Sequence, residues 1–436
     1  MLSWWLVSLF LIGIFLRPLH SHDNLSAHCE DQGRNSFLWT IQRSPPAYLF
    51  GTIHVPYNKV WQYIPENSKV AFNESDSAIF ELDLTNPRTM KALADCQMLP
   101  EGESLSDILP SELLSRLEHH FHFIKSILPY WISEDQKKKG LNSEYIFNTI
   151  AGNWHKKRPV WIMLLVNALT KIEVQSREIP VLDLFLAQQA EKDGKMTGAV
   201  EKVEEQCVPL NQLNLSQVVF ALSQILNKQE QMREQARPLL SRETLVMHYT
   251  CGNLDSLIFN RDSTQVPALL SSPVAPSDVE QARLIEEYFQ HELIDKRNAR
   301  MAQRVSYLLN QYPHTSFFFA FGAGHFVGNQ TVIDRLGQLG YNVIHNKPDQ
   351  NITRLMRNTS KKRPKNIRER KRQERLNQIW EKLIIDRSRY LQRTSNPDLT
   401  DKQFQHQSNS AQQGTSSSMI NLPVIVFLLG ILNLVA

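Results

Sequence analysis

The sequence is poor in cysteine and lacks the short motifs of the commonest metal and redox sites. Its 436 residues include four widely spaced cysteines, Cys29, Cys96, Cys207 and Cys251, and no CxxC pair. This spacing disfavours a structural zinc site or a thioredoxin-like site. An even count suits up to two disulfides in three possible pairings, with buried free thiols as the alternative. No HExxH helix is present either, which excludes the usual zinc-protease motif.

Positive charge is scarce over most of the chain. Residues 354–393 carry 15 Lys/Arg against 4 Asp/Glu. The rest of the chain then has 33 Lys/Arg against 40 Asp/Glu. A mostly acidic body argues against a nucleic-acid-binding fold and predicts no nucleic-acid partner, although the basic segment alone could touch polyanions.

Long apolar runs occur only near the two ends. Residues 2–16 suit the apolar region of a secretory signal peptide, which we place at residues 1–22, with an uncleaved signal anchor as the alternative. Residues 419–436 form a second run after a polar spacer. It suits either a marginal membrane span or a signal that is exchanged for a glycolipid anchor, and a buried core helix is the remaining alternative.

The segment between these runs divides into a body and a stalk. Residues 359–418 are first highly basic and then rich in Gln and Ser, so they predict a stalk without a core. Residues 23–358 are then expected to form the globular ectodomain, tethered to the cell membrane and facing the extracellular space. Six N-glycosylation acceptors agree with this placement: Asn24, Asn73, Asn214, Asn329, Asn351 and Asn358.

Short apolar runs alternate with amphipathic stretches in the body, which predicts an α/β fold with a mostly parallel sheet and crossover helices. Strands are expected at residues 48–50, 77–80, 195–200, 317–321 and 341–344. Residues 317–321, FFFAF, predict a strand that is buried on both faces. Helices are expected from residue 65 or 66, from residue 110, and over residues 145–170, 180–193, 278–310 and 330–339.

Two strands end in the same GxxH signature, with His54 after one strand and His325 after another. A glycine at a strand end permits a tight turn and a close backbone approach. Two such corners can therefore direct two imidazoles into one crevice above the sheet, although each histidine alone is more often a structural group.

A carboxylate from a third strand end would complete a metal site. Glu81 and Asp83 follow the strand at 77–80 and share one side of an extended segment. Two histidines and one carboxylate with an open position for water are typical of a catalytic divalent-metal site. By contrast, the spacing of His119, His120 and His122 distributes them around a helix, so we expect surface residues.

Seven segments together resemble the TraB/GumN superfamily in order and spacing, over about residues 37–345. They are GTIHVP at 51–56, FELDL at 80–84, PVLD at 180–183, GK at 194–195, ExxEEQ at 201–206, RNxxM at 297–301 and FGAGH at 321–325. With the signal peptide, acceptor sites, stalk and apolar tail, the chain is most similar to the TIKI metalloproteases. These are membrane-anchored ectoenzymes that clip the amino-terminal region of Wnt proteins.

The resemblance implies a metalloprotease that inhibits Wnt signalling and depends on a divalent metal, with manganese or cobalt favoured. It implies His54, Glu81 and His325 as metal ligands, with Glu81 as ligand or general base. Arg297 and Asn298 are further candidates: Arg297 would stabilise developing negative charge, or else it is a surface or carboxylate-paired arginine. We assign Glu201, Glu204 and Glu205 no role. The alternatives are an erythromycin-esterase-like acyl hydrolase and a non-catalytic surface protein that sequesters a metal or another ligand.

Overall fold

The computed structural model describes residues 36–352 except 178, 235–241, 255–257, 265–268 and 270–275. The predicted signal peptide, stalk and apolar tail lie outside these residues, and so does the predicted end of the body at residue 358. Within the described residues no helix is both long and apolar enough to cross a membrane.

One six-stranded sheet organises the described part of the chain. Its strands are β1 (Leu38–Ile41), β2 (Ala47–Thr52), β3 (Ser77–Phe80), β4 (Met196–Ala199), β5 (Phe317–Gly322) and β6 (Val343–His345). They lie in the order β4-β3-β5-β2-β1-β6. The pairs β4-β3, β3-β5 and β5-β2 are parallel, whereas β1 is antiparallel to both β2 and β6. The predicted α/β class with a mostly parallel sheet is confirmed.

The central strands are buried along their whole length. Every residue of β2, β3 and β5 is buried. Helices on both faces of a parallel sheet explain why these strands are continuously apolar rather than alternating. The phenylalanine-rich run is thus the central strand that its composition predicts.

Helices make up most of the remaining structure. Those in the described residues are α1 (Tyr57–Val60), α2 (Glu66–Glu74), α3 (Pro87–Cys96), α4 (Ser111–Trp131), α5 (Glu134–Lys138), α6 (Ser143–Ala151), α7 (Pro159–Ala168), α8 (Lys171–Ser176), α9 (Leu182–Lys192), α10 (Val203–Asn211), α11 (Leu215–Glu234), α12 (Arg242–Thr250), α13 (Ile258–Thr264), α14 (Val279–Gln290), α15 (Lys296–Gln311) and α16 (Val332–Gln338). A π-helical turn, His291–Asp295, joins α14 to α15.

A second apolar core lies among the helices. Its centre is α7, in which every residue from Pro159 to Val166 is buried. A helix that is apolar on all sides must be surrounded by other helices. Here α7 packs against α11, and α11 packs against α4.

The disulfide Cys96–Cys207 joins the end of α3 to α10, with a Cα–Cα distance of 6.3 Å. Cys251 is disulfide-bonded as well. The described cysteines are therefore oxidised, and the alternative of free thiols is wrong for them.

Three local expectations differ from the structure. Residues 145–170 form two helices rather than one, because Asn153 has a left-handed φ of 57° and Pro159 starts a new helix. Strand β1 was not predicted, since four residues are too few to show a period. His120 is not a surface residue: it is 1% exposed and lies on the core side of α4.

Candidate metal centre

His54 lies just beyond the carboxyl end of β2. The chain leaves the sheet at Thr52, and His54 is 2% exposed. The hydroxyl of Thr52 donates to Oδ1 of Asp183, which lies in the first turn of α9. The other carboxylate oxygen of Asp183 is 3.9 Å from His54 Nε2. A helix amino terminus favours a carboxylate at this position.

His325 lies beyond the end of β5, and its position depends on two glycines. A Cβ on Gly324 would lie 2.4 Å from the backbone oxygen of Phe259 in α13, and one on Gly322 would lie 2.6 Å from Ser263 Oγ. The turn is therefore pressed against α13 more closely than any side chain permits. The predicted close backbone approach is confirmed at this corner.

The second ring nitrogen of His325 is fixed by Asn298. The amide Nδ2 of Asn298 donates to the carbonyl of Gln330 at 3.0 Å, which leaves its Oδ1 as the acceptor for His325 Nδ1 at 2.6 Å. His325 therefore carries its proton on Nδ1, and Nε2 presents a lone pair. Burial lowers the pKa of His325 to about 4, so the ring is neutral at physiological pH.

Glu81 follows β3 and faces the same place. Its Oε1 accepts from the backbone N–H of Gly322 at 2.6 Å, and its Oε2 accepts from Arg297 Nη2 at 2.5 Å. Burial alone would raise the pKa of Glu81. The charge of Arg297, with smaller effects of His325, His54 and the Gly322 N–H, outweighs burial and lowers that pKa to about 2. Glu81 is consequently a fixed anion.

Arg297, at the start of α15, connects a buried network of charged side chains by pairing with both Glu81 and Glu201. Its Nε and Nη2 donate to Glu201, at distances from 2.7 to 3.0 Å, while Nη1 donates to the carbonyl of Leu293. Gln206 completes the network by donating to Glu201 at 2.9 Å. The alternative of a carboxylate-paired arginine is thus the arrangement found, and Glu201 has a role that sequence analysis did not assign.

Nε2 of His325 is buried and has no hydrogen-bond partner among the described residues. It lies 3.5 Å from Glu81 Oε1, so a lone pair and a carboxylate oxygen face each other. This contact is unfavourable unless a cation lies between them. The donors at this corner therefore fit a divalent metal chemically.

The candidate metal-ligand side chains do not converge on a single point. Within the described ranges no three His, Cys, Asp or Glu side chains are near enough to one another to form a complete metal site. They occur as two pairs, Glu81 with His325 and Asp183 with His54. The pairs nevertheless share one corner of the sheet, since Thr52 and Gly322 are register partners on β2 and β5.

The other predicted residues lie elsewhere. Asp83 Oδ1 accepts from Thr85 Oγ1 at 2.9 Å, within its own turn. Glu205 pairs with Arg304 at 2.6 Å. Asp183 could have been found from its place at the predicted start of a helix, whereas no local signal in the sequence marks Glu201.

Residues 37–345 match the TraB/PrgY/gumN family. The chain is 54% identical to Metalloprotease TIKI1 and 56% identical to Metalloprotease TIKI2, both of Xenopus tropicalis. These matches cover 77% and 73% of the chain, and 66% and 61% of the respective relatives. It is 45% identical to a Metalloprotease TIKI homolog of Nematostella vectensis, over 80% of the chain and 76% of that protein.

The chain thus spans less than two thirds of the length of the two Xenopus relatives. No solved structure matches it. The family match covers the whole sheet and both histidine corners, and it agrees with the resemblance of the seven motifs. The chain therefore belongs to the TraB/PrgY/gumN family and, within it, to the TIKI group.

Proposed function

We propose that this protein is a metal-dependent peptidase that acts at the outer face of the cell membrane. Its proposed substrates are Wnt proteins, which it would clip in their amino-terminal region and so reduce Wnt signalling. The observation that carries the proposal is the buried lone pair of His325 Nε2, held 3.5 Å from the fixed anion of Glu81. Each of the relatives described above is named a metalloprotease, which supports a peptide bond as the target.

We propose His54, Glu81 and His325 as the residues that hold the metal. The resemblance to the TIKI metalloproteases favours manganese or cobalt, and imidazole with carboxylate is a ligand set that divalent first-row metals accept. When bound, such a metal supplies a Lewis acid that polarises a peptide carbonyl and acidifies an attacking water. Asn298 holds the imidazole of His325 in the tautomer that leaves Nε2 available for this binding.

Glu81 suits the role of a ligand better than that of a general base. A general base is most effective when its pKa lies near the working pH. The pKa of Glu81 is lowered to about 2, and both of its oxygens already accept hydrogen bonds. Arg297 then acts through Glu81, by fixing the position and charge of that carboxylate.

The placement at the cell surface rests on sequence features. Four glycosylation acceptors fall in the described residues, and all four are exposed: Asn73, Asn214, Asn329 and Asn351. Accessible acceptors are required for a secreted glycoprotein. The anchor itself, at residues 419–436, stays a prediction as either a span or a glycolipid signal.

The decisive experiment incubates the purified full chain with a Wnt protein, with and without a chelator, and identifies the product termini by mass spectrometry. We expect a shortened amino terminus that disappears with chelator and returns with Mn²⁺ or Co²⁺. Glu81→Gln should lose most turnover, whereas Glu191→Gln, an exposed glutamate on α9, should retain it.

Binding of the Wnt protein without any cleavage by the parent would favour a sequestering protein instead. Cleavage that survives complete metal removal would contradict the proposal. An acyl hydrolase would be favoured if model esters were turned over and Wnt proteins stayed intact.

A further inference from the structure

We propose that Ser263, on α13, is a positioning residue of the candidate metal centre, because it fixes the turn that carries His325. This inference rests on the proposed function and deepens it. The juxtaposition that carries it is the buried hydroxyl of Ser263 beside the two glycines that precede His325, Gly322 and Gly324. Ser263 lies outside all seven segments of the family resemblance, so those segments did not point to it.

The first step concerns the turn itself. After β5 the chain makes one short 3₁₀ turn, Ala323–His325, with Gly322 at the N-cap position. The first N–H groups of a helix have no acceptor within the helix, and a Ser, Thr, Asp or Asn at the N-cap usually supplies one. Glycine has no side chain that could do so. The buried N–H of Gly324 therefore needs an acceptor from another part of the chain.

Ser263 supplies this acceptor. Its Oγ accepts from the N–H of Gly324 at 3.1 Å, which is the N–H that a capping side chain at position 322 would bind. A capping residue does not fit at Gly322, since its Cβ would lie 2.6 Å from Ser263 Oγ and 3.2 Å from Glu81 Oε1. The glycine thus leaves room for Glu81, and α13 provides the cap in its place.

Ser263 is itself held in place. It is 5% exposed, and Phe259, one helical turn earlier on α13, is fully buried. The ring of Phe259 packs edge to face against that of Phe37, with ring centroids 5.0 Å apart. Phe37 in turn accepts from the N–H of Gly51 on β2 at 2.8 Å. Because α13 is anchored to the sheet in this way, the hydroxyl of Ser263 has a fixed position beside the turn.

Three polar side chains therefore act on the same turn, each from a different element: Glu81 after β3, Ser263 on α13 and Asn298 on α15. Glu81 binds the start of the turn, and Asn298 binds the ring of His325. Ser263 binds the backbone between these two points. Loss of its hydroxyl leaves a buried N–H without an acceptor, so the turn should shift and move the imidazole.

The test compares two buried serines at opposite ends of β5. Ser316, directly before the strand, is 0% exposed, and its Oγ accepts from the N–H of Asp76 at 2.9 Å. Ser263→Ala and Ser316→Ala thus each remove a side-chain acceptor from a backbone N–H. Both should lower the thermal midpoint measured in chelator, whereas only Ser263→Ala should affect the candidate metal centre.

The first readout is the imidazole of His325, observed by nuclear magnetic resonance in the metal-free full chain labelled with ¹⁵N-histidine. The parent and Ser316→Ala should show the same Nδ1–H tautomer signal, which is assigned by its loss in His325→Ala. In Ser263→Ala this signal should shift or broaden. The second readout is cleavage of the Wnt protein, for which kcat should fall about tenfold in Ser263→Ala with little change in KM.

Ser263→Cys keeps a side chain of similar size but offers a weaker acceptor, so it should show the same changes to a smaller extent. It replaces Ser263→Ala if that variant does not fold. An unchanged His325 signal or an unchanged kcat in the folded variant, or an equal change in Ser316→Ala, would overturn this inference alone. If the signal responds as expected but the parent does not cleave with metal present, the proposed function fails and the hold of Ser263 on His325 stands.

Discussion

Replacement of Arg297 by Met should destabilise the protein strongly, because Arg297 is the buried cation between two buried carboxylates. Its side chain is 2% exposed, and those of Glu81 and Glu201 are 6% and 0% exposed. Without the guanidinium, two carboxylates would face each other without compensation. Removing one partner from a buried ion pair costs about 3 to 5 kcal/mol, and the surviving charge is the main cause.

The assay is the thermal midpoint, measured in chelator so that metal binding does not contribute. For a domain of this size we expect a decrease of roughly 5 to 15 °C. Arg283→Met is the matched control, since Arg283 also bridges two glutamates but its side chain is 45% exposed. Surface pairs of this kind contribute little, so its midpoint should stay within the error of the measurement.

A second variant identifies the cause of the loss. Arg297→Met combined with Glu201→Gln removes one of the two uncompensated charges, and it should be more stable than Arg297→Met alone. If Arg297→Met loses no more stability than Arg283→Met does, the network is not a source of stability and the reasoning is refuted. If the double variant is the less stable of the two, charge repulsion is not the cause.

Three further predictions test the histidines and the anchor. His54→Ala or His325→Ala should abolish cleavage while secretion stays normal, because each histidine lies just beyond a strand end and contributes to the site more than to the core. Full activity in either variant would remove that residue from the site. His120→Leu should flatten the loss of stability between pH 6.5 and 4, measured by thermal midpoints. Burial, aided by the charge of Arg233, lowers the pKa of His120 to about 4. Between pH 6.5 and 4 only the unfolded state therefore binds the proton, so stability falls as pH falls. An equal dependence of the thermal midpoint on pH in the parent and in His120→Leu would contradict this. Deletion of residues 419–436 should release the protein into the medium, and a truncated chain that stays on membranes would show that the tail is not the anchor.

The sheet and the histidine corners could be predicted because their signals are local. A buried run such as residues 317–321 indicates a central strand by composition alone, and a glycine after it marks the turn. His54, Glu81 and His325 all follow such runs, so parallel strands were expected to bring them to one edge.

The supporting contacts could not be predicted because they depend on how helices pack on that edge. Nothing local distinguishes Glu201, which accepts from Arg297, from Glu205, which pairs with Arg304. The burial of His120, unlike these contacts, could have been predicted from the sequence. His120 follows Leu117 by three residues and precedes Ile124 by four, so all three share the core side of α4.

The start of α15 serves both stability and the candidate metal centre. Arg297 holds Glu81 and its neighbour Asn298 holds His325, so two adjacent residues orient groups from two different strands. The π-helical turn lies immediately before them, and both side chains are buried. Because the same contacts pack α15 and fix the two groups, a substitution here should change the stability of the protein and the geometry of the candidate metal centre together. On the His54 side the carboxylate comes from α9 instead, so replacement of Asp183 would leave the Arg297 network intact.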